Sequence, residues 1–122
     1  MKALLSLLTA ALALAACVAP PPPATNGPSA RFGEVAVVSN LRVVPIEIVE
    51  DSRCPVDVQC VWAGRVRLRS EVSGAPAELI LGEPANLGGT WLTLVRVEPE
   101  KRSGQTTAPA AYRFTFAAGP RP

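Results

Sequence analysis

The alternation of charged and apolar residues along residues 65–72 restricts the fold more than any other feature of the sequence. Val66, Leu68 and Val72 fall on one side of an extended chain, and three arginines and a glutamate fall on the other. Successive side chains of a strand point to opposite faces, so this pattern predicts a strand with one buried and one solvated face. No stretch of the chain sustains the 3.6-residue period of an amphipathic helix.

Five further segments have the character of strands. The last alternates Tyr112, Phe114 and Phe116 with polar residues, and Pro45 marks an earlier one as an edge strand or a bulged strand. Turn-forming residues separate the segments, and the polar residues 100–109 are expected to form a mobile loop. We therefore predict an all-β domain, a small antiparallel β-sandwich or barrel of about six strands, over residues 33–118. The other predicted strands are residues 34–38, 41–49, 77–81 and 91–98.

The first sixteen residues have the form of a targeting segment. A positively charged start, Met1 and Lys2, is followed by an apolar run over residues 3–16. A membrane-spanning helix needs about 20 apolar residues, whereas this run is shorter and ends at a cysteine followed by prolines. Residues 1–16 therefore predict a secretory signal peptide.

The end of that run, residues 14–17, resembles the bacterial lipobox, in which small residues precede an invariant cysteine. The resemblance implies that Cys17 receives diacylglycerol and becomes the N-terminus, and that its amine can then be acylated, for example with palmitate. The alternative is an ordinary signal peptide cut near Ala16, which would leave Cys17 as a free thiol. Under the sorting rules of enteric bacteria, Val18 after the lipidated cysteine favours the outer membrane, facing the periplasm.

Residues 17–32 combine the lipid anchor with a proline-rich linker. Four consecutive prolines, residues 20–23, favour a stiff polyproline II segment. We interpret this stretch as a spacer between lipid and domain, with a proline-rich recognition motif as the alternative.

Composition narrows the function without naming a substrate. The chain has no histidine, which excludes Ser-His and Cys-His nucleophiles and His-ligated zinc or copper. Its 12 basic and 10 acidic residues give a net charge of +2, far from that of a dedicated nucleic-acid binder. We therefore expect no enzyme, no catalytic residue, no metal, no cofactor and no nucleic-acid partner. A hydrolase, the remaining enzymatic alternative, would have to work from carboxylates and hydroxyls alone.

Two cysteines remain once Cys17 is assigned to lipid. Cys54 and Cys60 lie six residues apart, and export to an oxidising compartment favours a disulfide between them. The competing interpretation is a metal or redox pair. A metal would need two further ligands without any histidine, and a thioredoxin-like site has two intervening residues rather than five.

Two features near this pair are candidate binding residues. Trp62, followed by Ala63 and Gly64, either packs on the disulfide and caps the core or stands exposed as an aromatic anchor. The second feature is a row of three arginines that period two places on one strand face, which we call the arginine row. It is either a solubilising outer face or a contact for an anionic lipid, glycan or protein, and it consists of Arg65, Arg67 and Arg69.

Residues 51–64 resemble a family of small, exported and often lipid-anchored bacterial proteins. The shared segment is Asp-Ser-Arg-Cys-Pro, four residues, Cys, one residue, and Trp-Ala-Gly leading into a strand. The family also has an aromatic-rich final strand like residues 112–116. The resemblance implies the envelope location, the disulfide and the β fold, but no substrate, because the family has no established biochemical activity.

These features favour a non-enzymatic cell-envelope lipoprotein that binds or structurally supports another envelope component. The alternative is a periplasmic inhibitor that presents the loop between Cys54 and Cys60 to a hydrolase. An inhibitor requires an exposed, ordered loop with Trp62 accessible, whereas a structural module would bury both.

Overall fold

The structure is a computed structural model that describes residues 27–119. The predicted signal peptide, Cys17 and the proline tract lie outside the described residues. Within the described range, no helix has the length and apolar character needed to cross a membrane. The strands are β1 Ser29–Ala30, β2 Ala36–Val38, β3 Leu41–Asp51, β4 Val66–Val72, β5 Ala75–Ile80, β6 Ala85–Leu87, β7 Thr90–Glu98 and β8 Arg113–Gly119, and a 3-10 helix, Pro109–Ala111, precedes β8.

The strands form two four-stranded antiparallel sheets, ordered β1-β8-β7-β6 and β2-β3-β4-β5. This arrangement confirms the all-β prediction and is a sandwich, not a closed barrel. The described residues form eight strands rather than about six, because the three-residue β6 and the two-residue β1 are too short to show a period. β1 lies within the stretch predicted as linker, so the sandwich begins at residue 29 rather than at residue 33.

The core lies between the two sheets and contains the residues that the alternation placed there. Val66 and Leu68 are fully buried on β4, and Phe114 and Phe116 are fully buried on β8. The ring of Phe32 meets that of Phe114 edge to face, with centroids 5.1 Å apart. Such packing is favourable beyond the area it buries. The buried face predicted for residues 65–72 is therefore confirmed.

Pro45 lies in β3, the longest strand, and its position explains the irregularity of that strand. The pairing of β3 with β4 shifts register after Pro45 and again after Ile48, so the bulged alternative is right. β2 pairs only with residues 41–43, so the proline does not interrupt a ladder on that side. β3 therefore continues to Asp51, at one end of the sandwich.

Candidate functional site

The connection between β3 and β4, residues 52–65, extends the hairpin beyond the sheet, and we call it the disulfide loop. The Ser52 amide donates to the Arg65 carbonyl oxygen at 2.8 Å, and the Arg65 amide donates to Ser52 Oγ at 3.0 Å. The Cys54 amide donates to the Ala63 carbonyl oxygen at 3.2 Å. These bonds hold both arms of the loop in an extended, paired conformation.

Cys54 and Cys60 form a disulfide, with their α-carbons 5.8 Å apart. That separation lies within the usual range for a disulfide. The predicted pairing is confirmed, and while the disulfide is formed neither sulfur is a thiolate that could ligate a metal.

Gly64 allows the two arms to approach closely. Its φ of +69° lies in the left-handed region, which favours glycine. A Cβ at this position would overlap the carbonyl oxygen of Ser52. Gly64 therefore permits the close approach of the two arms, which a residue with a side chain would prevent.

An ion pair and the hydrogen bonds around it fix the base of the disulfide loop. Arg53 donates to both carboxylate oxygens of Asp51, each at 2.8 Å, and the Tyr112 hydroxyl donates to the same carboxylate at 2.9 Å. Arg53 Nη1 also donates to the carbonyl oxygens of Val97 and Pro99, at 3.0 and 3.2 Å. The Asp51 backbone carbonyl oxygen accepts from the ammonium group of Lys101 at 2.7 Å. The cluster joins the base of the loop to the sheet formed by β7 and β8.

This cluster changes the ionisation of its members. Burial opposes the charge on Asp51, but hydrogen bonds from Arg53 and Tyr112 and the Arg53 charge outweigh burial and lower the pKa of Asp51. The bond to Asp51 raises the pKa of Arg53. Burial and the bond to Asp51 raise the pKa of Tyr112. The charged pair and the neutral phenol are therefore all favoured near neutral pH.

The segment between β7 and the 3-10 helix, residues 99–108, also supports the disulfide loop through hydrogen bonds. The Val56 amide donates to the Lys101 carbonyl oxygen at 2.9 Å, and the Ser103 amide donates to Asp57 Oδ1 at 2.9 Å. The polar stretch over residues 100–109, predicted as a mobile loop before the last strand, is thus hydrogen-bonded to the disulfide loop.

The disulfide loop carries exposed apolar side chains, which we call the apolar tip. Trp62 is 82% exposed and Val61 is 92% exposed, and Val56 and Val58 are also exposed. The interpretation that Trp62 caps the core is wrong. The end of the sandwich beneath the loop carries the hydrogen-bonded cluster of Asp51, Arg53 and Tyr112, and Trp62 does not cover the core there, because its side chain is 82% exposed.

The arginine row lies on the outer face, and each arginine faces a glutamate of a neighbouring strand. The pairs are Arg65 with Glu50, Arg67 with Glu78 and Arg69 with Glu47, at 2.5, 2.6 and 2.6 Å. The hydrogen bond with Arg67 lowers the pKa of Glu78, and the same bond raises the pKa of Arg67. Because each arginine of the row is already paired with a glutamate, the geometry favours a solubilising outer face over a contact for an anionic lipid, glycan or protein.

The fold and the loop define the class of the molecule: a small antiparallel β-sandwich that presents a disulfide-closed loop. Comparison with known proteins found no matching family model, no similar curated protein and no similar solved structure.

Proposed function

We propose that the protein is a non-enzymatic bacterial cell-envelope lipoprotein, anchored through lipid on Cys17, that uses the apolar tip to bind another envelope component. The observation that carries this proposal is the 82% exposure of Trp62 on a loop held by a disulfide and by hydrogen bonds at both arms. An exposed tryptophan, here directly preceded by the exposed Val61, is the kind of anchor that dominates the energy of protein interfaces.

The free energy expected from burying the Trp62 side chain is large enough to support a specific contact. A tryptophan side chain buries about 150–250 Å² in an interface. At roughly 25 cal/mol per Å² of apolar area, the gross gain is about 4–6 kcal/mol. Because the loop is already ordered, little of that gain is lost in fixing its conformation on binding. We expect Trp62→Ala to weaken binding by about 2 kcal/mol or more, roughly thirtyfold.

A second candidate function, inhibition of a periplasmic hydrolase, is favoured by the same rigid, exposed loop. Inhibitors of this kind present a pre-ordered loop to a cleft of the enzyme. A purely structural module would bury the loop, so the exposure of Trp62 argues against that interpretation. Binding of an anionic glycan or lipid through the arginine row is less well supported, because three glutamates already face the arginines.

Site-specific photocrosslinking in native envelopes tests the binding function. A photoreactive residue in place of Val61 should give a discrete adduct that is lost when Trp62→Ala is added. Val37, which is 57% exposed on β2 at the opposite end of the sandwich, provides the matched control position and should give no such adduct. Equal adducts at both positions, or an adduct at Val61 that survives Trp62→Ala, would contradict the proposal. An adduct to a hydrolase whose activity falls on addition of the protein would favour the inhibitor.

Lipid anchoring is tested separately. Mass spectrometry should show loss of the first sixteen residues and a diacylglycerol-sized addition, and Cys17→Ala should release the protein from outer-membrane fractions. A soluble, unmodified mature chain would refute the lipoprotein assignment while leaving the binding experiment valid.

A further inference from the structure

We propose that the apolar tip points away from the membrane that carries the anchor and inserts into an apolar pocket of a protein partner, not into that membrane. This inference rests on the proposed function, because it takes Cys17 as the point of attachment.

The pairing of β1 with β8 shows from which direction the chain enters the sandwich. β1 pairs with β8, with Ser29 opposite Thr115 and Ala30 opposite Phe114. The Phe116 amide donates to the Pro28 carbonyl oxygen at 3.0 Å, and a Cβ on Gly27 would overlap the Phe116 carbonyl oxygen. Traced back from Ala30 to Gly27, the chain therefore moves along β8 away from Arg113.

The disulfide loop lies at the Arg113 end of β8. Tyr112, directly before that strand, donates to Asp51 at the end of β3, and Arg53 donates to Val97 near the end of β7. The loop then extends three residues beyond Asp51 to Cys54. Chain entry and disulfide loop therefore lie toward opposite ends of the sandwich.

The distance from Gly27, where the chain enters the sandwich, to the disulfide loop is large compared with the length of the segment that connects Gly27 to Cys17. Three residues of β8 and three residues of the loop arm, each rising about 3.4 Å, place Cys54 roughly 20 Å from Gly27. Ten residues connect Cys17 to Gly27, and such a chain spans at most about 35 Å. Contact between the tip and the anchoring bilayer would require the domain to turn over and use more than half of that reach. The opposite orientation requires no such extension.

The charges around the tip identify the partner chemistry. Segments that insert into anionic membranes typically surround apolar side chains with basic residues. Here the base of the loop and its bracing segment carry four acidic and four basic side chains. Two of the acidic residues are paired with arginines, Asp51 with Arg53 and Glu50 with Arg65. A surface with balanced charge that presents an exposed indole next to Val61 fits an apolar protein pocket that accepts a tryptophan. The eight charged residues are Glu50, Asp51, Arg53, Asp57, Arg65, Glu100, Lys101 and Arg102.

Fluorescence in vesicles tests the orientation. The full lipidated protein with Trp91→Phe, which leaves Trp62 as its one indole, is reconstituted into vesicles of phosphatidylethanolamine and phosphatidylglycerol with nitroxide-labelled acyl chains. We expect Trp62 emission to match that in vesicles without nitroxide. Quenching of Trp62 by the labelled chains would overturn the inference and identify the bilayer as the occupant of the tip.

Photocrosslinking provides a second test of the inference, in a protein that retains Trp91. With the photoreactive residue at position 61 in native envelopes, we expect an adduct of protein mass that Trp62→Ala removes and that the Cys17→Ala protein still forms. A lipid adduct, or a protein adduct lost with Cys17→Ala, would overturn the inference. Failure of the proposed lipoprotein function is read from a different result, namely a wild-type protein that does not float with the vesicles.

Discussion

The cluster beneath the disulfide loop gives the most quantitative prediction, which concerns Asp51→Asn. The carboxylate of Asp51 accepts two bonds from Arg53 and one from Tyr112, and the two charged side chains are only 9% and 15% exposed. Breaking a buried ion pair costs about 3–5 kcal/mol, and this pair is partly solvated, so we expect about 3 kcal/mol of lost stability. In the Asp51→Asn variant, Arg53 keeps its hydrogen bonds to two backbone carbonyl oxygens. Because the guanidinium group is not left without partners, the expected loss of stability lies at the lower end of that range.

A loss of that size is easily measured in a domain this small. Domains of this length unfold with about 5–14 kcal/mol, and 1 kcal/mol shifts their Tm by about 4–8 °C. Asp51→Asn should therefore lower the Tm by more than 10 °C, by order of magnitude. Chemical denaturation of the Cys17→Ala protein gives the free energy of unfolding directly. The matched control is Glu47→Gln, which removes the exposed pair with Arg69 and should cost about 0–1 kcal/mol. Equal losses for both variants would refute the assigned role of the cluster.

The same reasoning fixes the dependence on pH. The pKa of Asp51 is lowered in the folded protein from its ordinary value of 3.8. A carboxyl group with a lowered pKa contributes stability above its unfolded pKa, and that contribution is lost as the pH falls through the folded pKa. The difference in unfolding free energy between wild type and Asp51→Asn should therefore be constant near neutral pH and shrink below pH 3.8. A difference that grows on acidification would contradict the assignment.

The remaining predictions concern the disulfide, the glycine of the loop and the arginine row. Replacing Cys54 and Cys60 by Ser should cost about 2 kcal/mol of unfolding free energy from loop entropy, and two free thiols in the purified, unreduced domain would refute the pairing. Gly64→Ala should destabilise the domain by more than 2 kcal/mol, since its Cβ would overlap the Ser52 carbonyl oxygen. Gly33→Ala, also at positive φ but with no atom within 4 Å, should cost only about 1 kcal/mol in the same denaturation assay, and equal costs would contradict the close approach. Changing the whole arginine row to Gln should leave the Tm nearly unchanged and keep the envelope adduct, whereas a lost adduct with flattened salt dependence would restore the anionic contact.

The sequence predicted those parts of the fold that depend on local order. Period-two alternation over residues 65–72 and 112–116 places the apolar side chains on the core face whatever the register. The alternation over 112–116 fails at Thr115, which was expected on the solvated face and is only 3% exposed. Two cysteines in a short loop can pair without knowledge of the remaining structure. β1 escaped prediction because its two residues are fixed by backbone bonds to β8, and neither Ser29 nor Ala30 has a strong strand preference.

The site could be predicted only in part, because its geometry depends on contacts distant in sequence. The exposure of Trp62 follows from the cluster that fills the end of the sandwich, and Tyr112 lies 61 residues from its partner Asp51. The compensation of the arginine row depends on the register of β3 and β5 against β4. Glu47 and Glu50 of β3 and Glu78 of β5 were the available signal, but the bulges in β3 hide the register of its glutamates from the sequence.

Hydroxyl-radical footprinting of the two tryptophans tests the central claim most directly. Trp91 is half-buried near the opposite end of the sandwich and serves as the internal reference. In purified protein, Trp62 should be oxidised much faster than Trp91, as its 82% exposure requires. In native envelopes, oxidation of Trp62 should fall to the level of Trp91 or below, while that of Trp91 stays the same. A Trp62 that is protected in the purified protein, or equally oxidised in both preparations, would contradict the account.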